Sequence, residues 1–173
     1  IPSLIFRKGL SIIKEEFIKK NMENKWNIEQ ASLTDAPAIA RFQVEMAEES
    51  EGTTLDYALV LRGVTEGLKD AQKGTYFVAR NEQGEAIASL LVTREWSDWR
   101  CAWYWWIQSV YVSQSYRRKG VYRAMYEAVK NAAKEAGAPC VRLYVDRTNT
   151  QGLATYQALG MTESHYLFYE EDL

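Results

Sequence analysis

Four basic side chains crowd one short stretch of this chain. Arg117, Arg118 and Lys119 stand directly before Gly120, and Arg123 follows within one helical turn. An apolar, strand-like run, Val110-Tyr111-Val112, leads into them. Where a helix begins, its first N–H groups lack intrahelical partners and its dipole presents a positive end. Such a start is a natural anion site. Gly120 lets an anion reach the backbone without meeting a Cβ. The whole chain carries a net charge of −2, so this basic excess is local. GxxxxGK[ST] and GxGxxG are both absent, which argues against a P-loop nucleotide hydrolase and a dinucleotide site. Taken alone, the turn also reads as a solvated basic helix start.

Other residues suit proton transfer and amine binding. Tyr156 carries a phenol that stays protonated at neutral pH and can give up its proton in a reaction. Taken alone, it reads rather as a tyrosine packing a short helix. Asn149 stands where it caps that helix. Glu95 ends a strand beside a dense tryptophan cluster and is a candidate base; pairing with Arg94 or Arg100 is the alternative. Glu45 and Glu49 are four apart and share a helix face. With Trp96, Trp99 and Trp105 they form a candidate site for a cationic amine, held by carboxylates and cation–π contact. A solvated acidic face is the other reading of those glutamates.

The elements that must position these residues follow from periodicity and punctuation. Residues 1–25 read as a separate amphipathic helix, with Leu10, Ile13 and Phe17 at helical spacing. Residues 26–173 read as one domain. Its first strand covers 26–30. Asp35 and Pro37 open a helix with Ile39, Phe42, Val44 and Met46 as apolar positions. A second helix spans 56–71. Strands follow over 75–80 and 86–95, joined by the turn Asn81-Glu82-Gln83-Gly84. A turn at 96–100 leads to a long strand over 102–112. Trp103, Trp105, Ile107 and Tyr111 are expected on one face of it, and Tyr104, Trp106, Val110 and Val112 on the other. Apolar groups on both faces indicate a central strand covered on both sides. A helix over 118–136 has Val121, Met125, Ala128, Val129, Ala132 and Ala136 as its stripe, stopped by Gly137 and Pro139. A strand over 141–145, a helix over 151–159 and a last strand over 166–169 complete a mixed α/β order, β-α-α-β-β-β-α-β-α-β.

Composition narrows the class. The length, 173 residues, suits one domain that needs no disulfide or metal to fold. A pI of about 5.6 argues against nucleic-acid or membrane-surface partners. One histidine and two separated cysteines, Cys101 and Cys140, make a zinc site implausible and suit reduced thiols in the cytoplasm. The sequence contains no apolar run long enough for a transmembrane helix, and the opening residues do not read as a signal peptide.

Two segments resemble a known family. Arg117-x-x-Gly120-x-Tyr122 is similar to the Q/R-x-x-G-x-G/A signature of the GNAT superfamily of N-acetyltransferases, and residues 109–112 are similar to the strand before it. Asn149, Ala154, Tyr156 and Leu159-Gly160-Met161 resemble the family's N-x(4)-A-x-Y-x-x-x-G-[FM] segment. The resemblance covers residues 26–170, and the two motifs stand in the family's order. Tyr122 departs from it, standing where the family most often has Gly or Ala, so its side chain must point away from the phosphates.

The resemblance implies an acetyl-CoA-dependent N-acetyltransferase. An acceptor amine attacks the thioester directly in a ternary complex and CoA leaves, with no metal involved. The acceptor is expected to be a small-molecule primary amine. It implies that Val110, Tyr111, Val112, Arg117, Arg118, Lys119, Gly120, Val121, Tyr122, Asn149 and Tyr156 bind the cofactor. The strand ending at Val112 would splay from the 141–145 strand, the pantetheine arm pairing with Val110 and Val112 backbone. A backbone N–H there, such as that of Val110, would stabilise the oxyanion, and Tyr156 would protonate the leaving sulfur. Glu95, or ordered water, would take the amine's proton. The acceptor would lie between the first two helices and the central strands, near Glu45, Glu48, Glu49 and Glu51. A non-catalytic acyl-CoA sensor is the alternative of a different class. A homodimer completing the sheet is a further expectation.

Overall fold

The computed structural model describes residues 25–173. The amphipathic helix expected over 1–25 falls, apart from Lys25, outside the described residues. Backbone contacts divide the chain into two compact units, one ending at Arg142 and the other spanning Leu143–Leu173.

The first unit is a five-stranded sheet in the order β1-β2-β3-β4-β5. β1 (Asn27–Gln30), β2 (Thr75–Arg80), β3 (Ala86–Ser97) and β4 (Ala102–Val112) are antiparallel neighbours, whereas β5 (Val141–Arg142) joins β4 in parallel. The β2–β3 turn forms because the Asn81 side chain accepts from the N–H groups of Gln83 and Glu85, and because Gly84 takes φ 79°. β3 runs two residues beyond expectation, through Trp96 and Ser97. Both keep ladder partners in Trp103 and Ala102, and the chain reverses only at residues 98–101.

α1 (Ala36–Glu51) and α2 (Tyr57–Lys69) connect β1 to β2. At the start of α1 the Asp35 carboxylate accepts from Ser32 N–H at 2.8 Å, and Pro37 occupies the first turn. Arg80 reaches the same carboxylate at 2.9 Å and also pairs with Glu29. Asp56 caps α2 by accepting from Ala58 N–H. Ile39 and Phe42 are buried as expected. Val44 and Met46 are only partly buried, and Ala40, Gln43 and Ala47 face the sheet instead. Ala36, Ile39, Ala40 and Val64 pack with Tyr76 and Val78 of β2. α3 (Val121–Glu135) lies against β1, β2 and β4. It begins three residues later than expected, because Arg118 and Gly120 hold left-handed backbone that ends any helix upstream. Its buried stripe contains Val121, Ala124, Met125, Tyr126, Val129 and Ala133; Ala136 is exposed and Ala128 and Ala132 are partly so.

In the second unit, α4 (Thr150–Ala158) is capped by Asn149, whose side-chain oxygen accepts from Gly152 N–H at 2.8 Å. The strand expected over 166–169 is not formed. Tyr166, Leu167, Phe168 and Tyr169 are all strongly exposed and have no ladder partner, and an extended segment without one gains no cross-strand hydrogen bonds. The strand expected over 141–145 is shortened to two residues, since its ladder with β4 stops at Arg142. Apolar, β-branched composition marks this segment as extended without specifying how many partners it meets.

Candidate active site

β4 carries an irregularity at the centre of the site. Leu91 pairs with Gln108 and Ser89 with Tyr111, so Ser109 and Val110 together oppose Leu90. Ser109 has φ 53°, the left-handed conformation of a β-bulge. The extra residue reverses the alternation of faces downstream. Tyr111 therefore lies on the side of Trp106 and Gln108, opposite Ile107, while Val112 shares the side of Ile107. This corrects the expectation from simple alternation, which a single inserted residue inverts. Tyr111 stacks on Phe42 of α1 with ring centroids 5.3 Å apart. Gln43 donates to the Ser109 carbonyl at 3.4 Å, so α1 also holds the bulge.

Beyond the bulge β4 has no ladder partner on its β5 side among the described residues. β5 pairs only with Trp105 and Trp106. Ser113 N–H donates to Ile87 O on the β3 side. By antiparallel alternation, Val112 then turns its polar groups the other way, toward the β5 side. Its carbonyl accepts from Arg117 Nε at 2.8 Å.

The basic turn follows at once. Residues 114–116 make a 3-10 turn, Arg118 sits at φ 60° and Gly120 at φ 85°, and α3 starts at Val121. Gly120 is the N-cap and its first turn is uncapped by any side chain. A Cβ built on Gly120 would meet nothing within 4 Å, so the ground ahead of the helix is open. Arg118, Lys119 and Arg123 are exposed around it. The Tyr122 ring lies 6.5 Å from that of Tyr126, on the flank of α3. Lys119 O accepts from Trp26 Nε1, which fastens the turn to the start of the sheet.

Arg117 turns away from its basic neighbours. Its Nη2 pairs with Glu49 at 2.6 Å and its guanidinium lies 5.3 Å from the Tyr111 ring centre. The Tyr111 hydroxyl donates to Glu45 at 2.7 Å and also contacts Glu49 at 3.2 Å, and Gln114 donates to Glu49 at 2.9 Å. The Gln114 hydrogen bond, then the Arg117 bond and charge, hold Glu49 below the usual carboxylate range despite some desolvation. Burial, then the carboxylates of Glu45 and Glu49, raise the Tyr111 phenol well above its ordinary value, so it stays a proton donor here. Glu45, Glu49, Tyr111 and Gln114 line a cavity of about 700 Å³ together with Glu48, Ser113 and Ser115. Glu48 lines the cavity, as expected, whereas sequence reasoning misses the side-chain role of Tyr111 and the part played by Gln114. Only the bulge turns Tyr111 toward α1, and no motif marks a bulge.

Glu45 and Glu49 are thus together, but the three tryptophans assigned to the same site are not with them. Trp105 is buried on the opposite sheet face, under the Arg94 guanidinium. Trp96 stacks edge-on with Trp103, 5.0 Å away, and Trp99 lies exposed in the hairpin turn. Glu95 is exposed at the end of β3, with Tyr104 as its cross-strand partner. It pairs with neither Arg94 nor Arg100. Trp106 Nε1 donates to it at 2.6 Å and Arg142 approaches at 3.4 Å. That guanidinium also stacks 3.7 Å over the Tyr104 ring. In the second unit, Tyr156 lies within α4, and its carbonyl accepts from Met161 N–H as that helix closes. Among the described residues no cluster of His, Cys, Asp and Glu is arranged to hold a metal, and no helix is long and apolar enough to cross a membrane.

Known proteins bear directly on this arrangement. The family model of the acetyltransferase (GNAT) family matches residues 36–161. A possible acetyltransferase from Clostridium difficile 630 is 37% identical, with a TM-score of 0.81 over 87% of this chain and 99% of that one. A ribosomal-protein-alanine N-acetyltransferase from Brucella melitensis biovar Abortus 2308 shares the fold at 16% identity, with a TM-score of 0.71 over 86% of this chain and 99% of that one. An aminoglycoside acetyltransferase from an uncultured soil metagenomic sample, solved in complex with sisomicin, also shares it, at 17% identity and a TM-score of 0.72 over 88% and 99% of the two chains. No curated protein matches. With a match over most of its length, and with the strand and the basic helix start in their expected succession, the chain belongs to the acetyltransferase (GNAT) family.

Proposed function

We propose that this protein transfers an acetyl group from acetyl-CoA to the primary amine of a small, cationic acceptor, by direct attack within a ternary complex. One observation carries the reading: the end of β4, unpaired on its β5 side among the described residues, leads through one 3-10 turn into an uncapped helix start whose N-cap glycine would set a Cβ in open space. These features fit the cofactor. A pantetheine arm is a chain of amides that pairs like a short strand, and a pyrophosphate takes helix N–H groups and cations. Acetyl-CoA, when bound, supplies the activated acetyl group.

The protein's own residues then divide the work. Val110 and Val112 backbone pair with the arm, and the Val110 N–H faces the carbonyl oxygen where charge develops. Residues 117–122 form the pyrophosphate turn. Asn149 contacts the arm while capping α4, and Tyr156 gives its proton to the leaving sulfur. The amine must arrive or become neutral, since an ammonium of pKa about 10 has no lone pair. Glu95 takes that proton through ordered water. It shares its sheet face with Gln108 and Tyr111 but lies five residues along β3 from Leu90, roughly 16 Å by strand rise, so water carries the proton to it. Glu45 and Glu49 draw the cationic acceptor into the cavity beside Tyr111.

The test is thiol release from acetyl-CoA across a panel of amines, with CoA binding followed by calorimetry. Turnover of cationic amines with tight CoA binding is expected. Preference for neutral or anionic amines would sink the acceptor assignment. CoA binding without turnover of any amine would favour a sensor over an enzyme.

A further inference from the structure

We propose that Arg117 is a positioning residue of the acceptor cavity and not a side-chain ligand of the cofactor's phosphates. The proposal rests on the acetyl-CoA reading above. Arg117 opens the basic turn, so its position in sequence points to phosphate binding. Its geometry points elsewhere.

Three contacts hold its guanidinium. Nε donates to the Val112 carbonyl at 2.8 Å, Nη2 pairs with Glu49 at 2.6 Å, and the plane lies 5.3 Å from the centre of the Tyr111 ring. A planar guanidinium gains most where its donors are used in fixed directions, and here two different donors are used toward two different elements. To reach an anion ahead of α3, the group would have to leave the Val112 carbonyl and the Glu49 carboxylate together. Its neighbours face no such loss. Arg118, Lys119 and Arg123 are exposed, and among the described residues none of them forms a salt bridge. They and the N–H groups that open α3 meet the phosphates.

What Arg117 does instead is set Glu49. With Gln114 and Tyr111 it surrounds that carboxylate on the wall of the cavity. Glu45, by contrast, accepts only from Tyr111 among the described residues. The two carboxylates therefore differ. Glu49 is fixed and ionised, and Glu45 keeps an oxygen for the incoming amine. Because Arg117 also grips the last carbonyl of β4, the wall of the acceptor cavity is keyed to the strand that carries the cofactor.

The experiment compares wild type with Arg117→Gln, Arg117→Lys, Glu49→Gln and Lys119→Gln. It measures CoA affinity by calorimetry and the KM of each substrate by thiol release, with thermal melts to confirm folding. Arg117→Gln should leave the CoA dissociation constant within about twofold and raise the acceptor KM about tenfold, the pattern of lost ground-state binding of one substrate. Glu49→Gln should reproduce the acceptor effect, and the double variant should add little, since the two residues act as one pair. Lys119→Gln should weaken CoA binding without altering acceptor KM. Arg117→Lys keeps the charge and loses the fork, so it should recover only part of the acceptor affinity. If Arg117→Gln weakens CoA binding about tenfold with acceptor KM unchanged, or changes neither, the proposal fails while the acetyl-CoA reading stands. Should the wild-type chain bind no CoA, that reading falls and takes this proposal with it.

Discussion

The hydroxyl of Tyr111 stands 2.7 Å from Oε2 of Glu45, a contact that joins β4 to α1 across 66 positions of sequence. It exists because the Ser109 bulge turns Tyr111 to the face of the sheet that α1 covers. Tyr111→Phe keeps the stacking on Phe42 and removes the donor. We expect a stability loss of about 1–2 kcal/mol, the range for a hydrogen bond to a charged group that is partly exposed. Acceptor KM should rise several-fold with acetyl-CoA KM unchanged. Urea unfolding and steady-state kinetics read the two effects separately, and equal rises in both KM values would contradict the placement of Glu45 in the acceptor cavity.

Gly120 and Gly84 form a matched pair for testing the helix start. Both hold left-handed backbone, at φ 85° and 79°, and at both an added Cβ meets nothing within 4 Å. Gly120→Ala and Gly84→Ala should each lose about 1–2 kcal/mol, the cost of left-handed backbone for an L-residue. Only Gly120→Ala should also weaken CoA binding, because its Cβ enters the ground ahead of α3. Calorimetry decides it. Equal CoA affinity in the two variants would remove Gly120 from the cofactor site.

Tyr156→Phe removes the proposed proton donor to sulfur. Turnover at saturating acetyl-CoA should fall by about 10²-fold, the lower end for a general acid, with CoA affinity nearly unchanged. A stopped assay at saturating cofactor and a CoA titration check it; unchanged turnover leaves Tyr156 as a packing residue of α4.

Asp35 makes folding sensitive to acid. Burial opposes its charge, but the Ser32 N–H and the Arg80 guanidinium outweigh this and hold its carboxyl below the ordinary aspartate value. A folded pKa below the unfolded one means stability that is present above the unfolded value and lost as pH falls through the folded one. Thermal melts of wild type should therefore drop steeply below about pH 4. Asp35→Asn should lower the melting temperature at pH 7 and flatten that acid dependence. A variant whose acid limb matched wild type would assign the limb to other carboxylates.

Glu95→Gln tests the base. Turnover should fall, and part of the loss should be recovered at higher pH as more acceptor amine arrives neutral. A pH–rate profile identical to wild type would move the base to Glu45 or to water.

Local chemistry is legible in the residues themselves. Pro37, Asp56, the Asn81–Gly84 turn and Asn149 all act within a few positions of where they stand, whereas Asp35 opens α1 without capping it by its side chain, which turns back to Ser32 N–H. The strand, basic turn and helix are legible for the same reason, and so is the family. Long-range partners are not. Residues 143–145 and 166–169 have strand-like composition, but a strand is a pairing, and composition does not name the partner. The tryptophans near Glu95 divide between the two sheet faces, Trp96 against Trp103 on one and Trp106 beside Glu95 on the other, because successive strand residues point to opposite faces.

The sequence by itself determined where the backbone turns, the order in which helices and strands follow, and that basic residues crowd the start of the helix at Val121. Those are properties of residue types acting on their neighbours. Only the tertiary structure decided that Tyr111 faces α1, that Glu45 and Glu49 share a cavity with residues 113–115, and that Arg117 serves Glu49 and Val112. The inserted residue at Ser109 set the first, since a bulge depends on the register between two strands and no single segment encodes that register; the others depend on how α1 packs beside the end of β4.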